Sequence, residues 1–216
     1  SIECDVWAQN CPEGEKCTPW ANDGGSYWNA TRCVPVDPRA GEIGDPCTVE
    51  GSHVSGIDSC RLGAQCFFVD PETNTGVCTA NCDGNEADPL CSDPSTVCDV
   101  EFEGTIHLCL PTCAPLSPSC PALTACVPAS NGVSFVCAPY LQPSLSEHEP
   151  CASVWDCLPG KVCLDGDLDP ECASERCCFD YCNLLLGAGC EGQDCTPWFD
   201  RATVPPGFEN LGICTG

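Results

Sequence analysis

Residues 151–163 read CASVWDCLPGKVC. A cysteine, a short gap, a second cysteine, a Pro-Gly turn and a third cysteine follow in order, and a longer stretch leads to a fourth. The same module recurs along the chain. Cys4, Cys11, Cys17 and Cys33 form the first, Cys47, Cys60, Cys66 and Cys78 the second, and Cys82, Cys91, Cys98 and Cys109 the third. Cys113, Cys120, Cys126 and Cys137 form the fourth. Cys151, Cys157 and Cys163 open the fifth, which closes with one of Cys172, Cys177 or Cys178. Cys182, Cys190, Cys195 and Cys214 form the sixth. The middle gap stays between 4 and 6 residues while the outer gaps run from 5 to 18. That is the pattern of a tight turn between two variable loops. Cys-Thr-Pro-Trp at Cys17–Trp20 returns at Cys195–Trp198, so the modules read as internal duplications.

Twenty-six cysteines in 216 residues make a disulfide scaffold the default reading. The chain has no Cys-x-Cys and no Cys-x-x-Cys, the close pairs that zinc sites use, so disulfides are expected over metal thiolates. Such a scaffold implies an oxidising compartment, either secreted or at the cell surface. Leu, Ile, Val and Phe make up under a fifth of the chain, and the net charge is -25. Without bridges that composition predicts disorder. Seven basic residues against 32 acidic ones exclude nucleic acid and anionic membranes as partners. No apolar run reaches the length of a membrane span. With no leader-like segment and no Met, the chain reads as a processed, mature form.

The gap between third and fourth cysteines reads as a β-hairpin. In CVPASNGVSFVC, Asn131-Gly132 lies midway between Cys126 and Cys137, and Asn-Gly is the strongest two-residue hairpin signal. Glu103-Gly104 sits midway between Cys98 and Cys109, and Asp23-Gly24-Gly25 is central in the first module. Residues 34–46 and 138–150 each carry three prolines and read as stiff, extended linkers. They divide the chain into a first module (1–40), a block of three (41–142) and a block of two (143–216). The expected fold is therefore small, disulfide-rich and built mostly of β-hairpins and loops. Its six four-cysteine modules form an elongated tandem array with little or no helix.

These cysteine gaps, with a hairpin in the last, resemble the first four cysteines of EGF-like modules. The resemblance implies bridges from first to third and from second to fourth cysteine, for example Cys113–Cys126 and Cys120–Cys137. Hairpin geometry alone equally permits a cross-strand bridge between third and fourth, such as Cys126–Cys137. In the fifth module two of Cys172, Cys177 and Cys178 would make an additional local bridge. The whole chain, through CPEGEKC, GDPC and CASERCCFDYC, also resembles a group of secreted cysteine-rich proteins from myxobacteria and related bacteria.

Chemistry-bearing patterns are few. LDGDLDPEC at 164–172 spaces Asp165, Asp167 and Asp169 as at the start of an EF-hand, so these three are the candidate calcium ligands. Pro170 and Arg176 stand where that loop needs Gly and Glu, and the alternative is a solvated acidic loop. Asp83, Asn85 and Asp88 form a weaker set of the same kind. His53, His107 and His148 fall in different modules without ligand spacing. The tryptophans read as covers for disulfides. Alternatively Trp20, Tyr27 and Trp28 beside the first hairpin tip form a contact surface for a glycan or a protein. Asn29-Ala30-Thr31 is a glycosylation sequon if the source is eukaryotic. No catalytic motif is recognisable. The expected function is that of a non-catalytic extracellular structural or interaction protein, self-assembling into a surface layer or fibre through hairpin edges. A glycan- or calcium-binding module is the alternative, and a protease inhibitor a third.

Overall fold

The structure, a computed structural model, describes residues 3–122, 124–140, 145–186, 189–190 and 192–216. The chain forms two compact units, Ser1–Pro111 and Thr112–Gly216. The first contains β1 (Glu15–Trp20), β2 (Ala30–Pro35), β3 (Pro46–Thr48), β4 (Ala64–Asp70), β5 (Thr75–Ala80), β6 (Asp83–Asn85), β7 (Asp88–Leu90), β8 (Thr96–Glu101) and β9 (Ile106–Pro111). The second contains β10 (Thr124–Pro128), β11 (Phe135–Pro139), β12 (Lys161–Asp165), β13 (Arg176–Asn183), β14 (Asp194–Pro197) and β15 (Leu211–Thr215), with a single 3-10 turn at Gly166–Leu168. All strand pairs are antiparallel. The fold is a disulfide-rich set of small β-hairpins.

Every cysteine is bridged. Within each four-cysteine set the first bonds the third and the second bonds the fourth, from Cys4–Cys17 and Cys11–Cys33 to Cys182–Cys195 and Cys190–Cys214. The third and fourth cysteines do face each other across each hairpin, as at Cys17↔Cys33, Cys98↔Cys109 and Cys126↔Cys137. Each nevertheless bonds a cysteine from the preceding loop, so that loop is stapled onto the hairpin. Strand alternation settles the fifth set. Cys178 lies opposite Cys163 and bonds Cys157, whereas Cys177 points to the other face and bonds Cys172.

The turns between third and fourth cysteines are wider than two residues. Asn131-Gly132 occupies a loop closed by the Ala129 N–H donating to the Ser134 carbonyl at 2.9 Å. There the Asn131 Oδ1 accepts from the backbone of Val133 and Ser134 at 3.0 Å each. At the Glu103-Gly104 turn, Phe102, Glu103 and Gly104 all take positive φ.

The two compact units do not follow the three blocks expected from the linkers. Residues 34–46 are not a free spacer. Val36 donates to the Gly14 carbonyl, Gly41 to Ser59 and Gly44 to Cys78, each at 2.8–2.9 Å. The first module is bound tightly to the second. The Lys16 ammonium is buried and donates to Asp58 Oδ1 at 2.6 Å and to the carbonyls of Cys60 and Ala64 at 2.9 Å. Burial holds this ammonium below its usual 10.5, opposed by the Asp58 carboxylate. Thr18 donates its hydroxyl to the Gly56 carbonyl at 2.9 Å, where any Cβ would meet Thr18 Oγ1 at 2.3 Å. Trp28 from the first module contacts His53 and Phe67 of the second and Phe102 of the third. The middle of the second linker, residues 141–144, lies outside the described residues.

The second unit gathers a large apolar core from several modules, beside a smaller cluster of Cys157, Cys163 and Cys178. Phe135, Val162, Phe179, Tyr181, Leu211 and Ile213 pack together, with Trp198, Phe199 and Phe208 against them. The sheet order β12-β13-β15-β14 explains how. Strand β13 is eight residues long, so its first half pairs with β12 and its second with β15. In the first unit the clusters are mainly bridged sulfur with Val and Ala, as in the set around Cys47, Val49, Cys60 and Ala64.

Candidate functional site

The LDGDLDPEC loop is a structured corner. Asp165 ends β12 and caps the 3-10 turn, its Oδ1 accepting from the Asp167 N–H at 3.0 Å. Gly166 is required by space, since a Cβ there would lie 2.1 Å from the Ser174 carbonyl. Asp167 is exposed, but Asp169 is buried. Asp169 accepts from the Glu171 N–H at 2.7 Å and from the Gln193 side-chain amide. Its Oδ2 lies 3.5 Å from His148 Nδ1. The three candidate calcium ligands therefore hold three different posts: a cap, a free surface carboxylate and a buried anchor. The other acidic set, Asp83, Asn85 and Asp88, lies on the exposed β6–β7 hairpin, where Asn85 Oδ1 accepts from Ala87 and Asp88.

His148 gathers acids that no sequence spacing announced. Its Nε2 lies 3.7 Å from Glu147 and 3.6 Å from Glu171, while Nδ1 faces Asp169. Lys161 pairs with Asp180 beside them. Burial pushes the Glu147 carboxyl up, with Asp180 adding to the effect. Several cysteine sulfurs also lie close together, as in Cys4, Cys11 and Cys33. All are in disulfides and offer no thiolate to a metal.

A second titratable group lies on β8 and β9. Burial, with Asp99 two residues away on the same strand face, pushes the Glu101 carboxyl up to about 7. Burial pushes His107 down to about 4, under the Trp7 ring at 4.6 Å. The two act in opposite directions. Glu101 keeps its proton in the folded state up to about 7, so its contribution to stability is lost as pH rises from 4.5 through 7. His107 stays neutral down to about 4, so its contribution is lost as pH falls from 6.5 through 4. Glu101→Gln is expected to expose the His107 loss: its melting temperature falls as pH drops across that window. His107→Gln is expected to do the reverse and gain stability on acidification. Parallel pH profiles for both variants in thermal melts would contradict the assignment.

The aromatic surface expected at the first hairpin is only partly present. Trp28 is buried, so it serves the core and not a ligand. Trp20 is partly buried, with the Arg32 guanidinium 4.4 Å from its ring centroid. Tyr27 alone of the three is exposed. Asn29 is exposed and its Oδ1 accepts from Asn22 at 3.0 Å. Trp7 packs against the bridged Cys4, Cys11, Cys17 and Cys33, whereas Trp155 is fully buried and Trp198 joins the aromatic core.

A cavity of about 410 Å³ lies in the second unit. It is lined by Thr112, Ser117, Ser119, Ser134 and Phe208, with the buried Phe135 behind them. The loop 112–120 is positioned by the Cys113 N–H donating to the Phe135 carbonyl at 3.0 Å and by both bridges of the fourth module. None of the lining residues is charged. No apolar pattern in PTCAPLSPSC announces such a site, because Phe208 arrives from 88 residues beyond Cys120. Thirteen bridges mark a protein of an oxidising environment, and no helix among the described residues is long and apolar enough to cross a membrane. No family model, no curated protein and no solved structure matches the chain.

Proposed function

We propose that the protein is a non-catalytic extracellular structural and interaction protein that self-associates when divalent cations neutralise its surface. The observation that carries this reading is how charge is distributed. Among the described acids only Asp58, Asp99, Asp156 and Asp169 are buried. Three of these have evident structural posts: Asp58 pairs with Lys16, Asp156 accepts from Ala152 and Ser153 at 2.8 Å, and Asp169 anchors its loop. The remaining acids lie wholly or partly at the surface of a chain with a net charge of -25. Strands β6 and β7 form an exposed two-stranded sheet, and β14 is an exposed edge of the four-stranded sheet, so these edges are available for pairing between copies. Mutual repulsion opposes that pairing, and bound cations relieve it. Secretion or display at the cell surface follows from the same reading, since bridges of this density persist outside the cytosol.

The test is light scattering on the oxidised protein over a concentration series, with calcium and then with excess chelator. The expected result is growth with calcium that the chelator reverses. A 22.7 kDa monomer under every condition would overturn the proposal.

A further inference from the structure

The cavity beside the fourth module has a chemistry unlike the rest of the surface. The chain carries 32 acidic residues, yet none of the described ones lines this concavity. A cation would find no carboxylate there. An anion would find no basic group and would approach against a net charge of -25. A purely apolar ligand would bury hydroxyls without partners, which is costly. What remains complementary is a neutral molecule with hydroxyls of its own and at least one apolar face.

The residues suit that class of ligand. A serine hydroxyl both donates and accepts, as a sugar hydroxyl does. Those of Ser117 and Ser119 are exposed, and no hydrogen bond within the described residues engages them. Ser134 immediately precedes β11, and there Asn131 Nδ2 donates to its Oγ at 3.2 Å and leaves further capacity. Phe208 is half-buried and packs at 5.1 Å against Phe135, so the inner ring holds the outer one in place. The volume of about 410 Å³ falls within the ~300–1,000 Å³ of small-molecule sites.

We propose that this cavity binds a neutral saccharide, with Phe208 against the apolar face of a sugar ring and Ser117, Ser119 and Ser134 exchanging hydrogen bonds with its hydroxyls. The site lies outside the first hairpin and requires no self-association, so it stands or falls independently of the cation-bridged assembly.

The experiment titrates isotope-labelled, oxidised protein in excess chelator with cellobiose, maltose and chitobiose, up to tens of millimolar, following backbone amide shifts. Trp198 gives a second readout by fluorescence, because its ring lies 5.6 Å from that of Phe135. The expected result is saturable shifts confined to residues 112–119, 134–135 and 208 with at least one sugar. Phe208→Ala should abolish them. Because that change also touches the core, Ser117→Ala/Ser119→Ala serves as the surface variant. It should weaken binding roughly 5- to 150-fold, the loss of two neutral hydrogen bonds. No shift with any of the three sugars would overturn the proposal. So would shifts that the double serine variant leaves unchanged, or an apolar dye saturating these amides when the sugars do not.

Discussion

Reduction of the thirteen bridges at neutral pH is expected to unfold the protein outright, with loss of strand signal in far-UV circular dichroism and collapse of amide dispersion. Each bridge contributes about 2–4 kcal/mol through the unfolded chain, whereas a whole domain is stable by only ~5–15 kcal/mol. The bridged sulfurs are also the core: Cys60, Cys163, Cys177, Cys178 and Cys214 are fully buried. Breaking them removes packing as well as constraint. The effect should be graded by loop length. Cys172–Cys177 closes a separation of 5 residues and Cys190–Cys214 one of 24. Chain entropy alone makes the longer loop worth about 1.4 kcal/mol more. The double serine variant at Cys172 and Cys177 should therefore melt above the one at Cys190 and Cys214. Native-like dichroism in excess reductant would show that the hairpins hold without their staples.

Asp58→Ala is expected to cost about 3–5 kcal/mol, because it leaves a buried ammonium without its counter-charge. Lys16→Met should cost a similar amount for the converse reason. Asp58 does more than pair: its carboxylate also accepts from the Cys60 and Cys66 N–H groups at 2.7 and 3.1 Å. The double variant Lys16→Met/Asp58→Leu removes both charges yet still orphans those two donors. It should lose less than the sum of the single variants while remaining below the native protein. Denaturant melts of the oxidised protein measure all three. A single-variant loss under ~1 kcal/mol would mean that the pair behaves as a surface ion pair.

Much of the scaffold was legible in the cysteines. Their count, the even middle gap and the turn residues between third and fourth cysteines announce stapled hairpins, because bridge geometry and strand alternation are local constraints. Spacing did not say which of Cys172, Cys177 and Cys178 closes the fifth module; the register of β13 on β12 decides it. The Cys-Thr-Pro-Trp repeats likewise mark Trp20 and Trp198 as parts of a common design, though each tryptophan finds different company.

Neither the division of the chain nor its sites could be read in the same way. Proline linkers suggested separate blocks, but whether a linker spans solvent or lies against a hairpin depends on partners far away in sequence. Lys16 reaches Asp58, Trp28 reaches Phe67 and Phe102, and β13 is shared between two modules. The aspartates at 165, 167 and 169 have the right spacing for one ion, yet Asp169 is drawn to Gln193 and His148. The cavity at Ser117 and Phe208 exists only where two distant loops meet. Composition and cysteine spacing by themselves determined a bridged β-hairpin scaffold with an acidic surface, since those follow from covalent reach and residue count. Tertiary structure alone decided which charges are buried, which aromatics remain exposed and where a neutral cavity opens, since burial and complementarity belong to contacts between segments that the chain brings together only on folding.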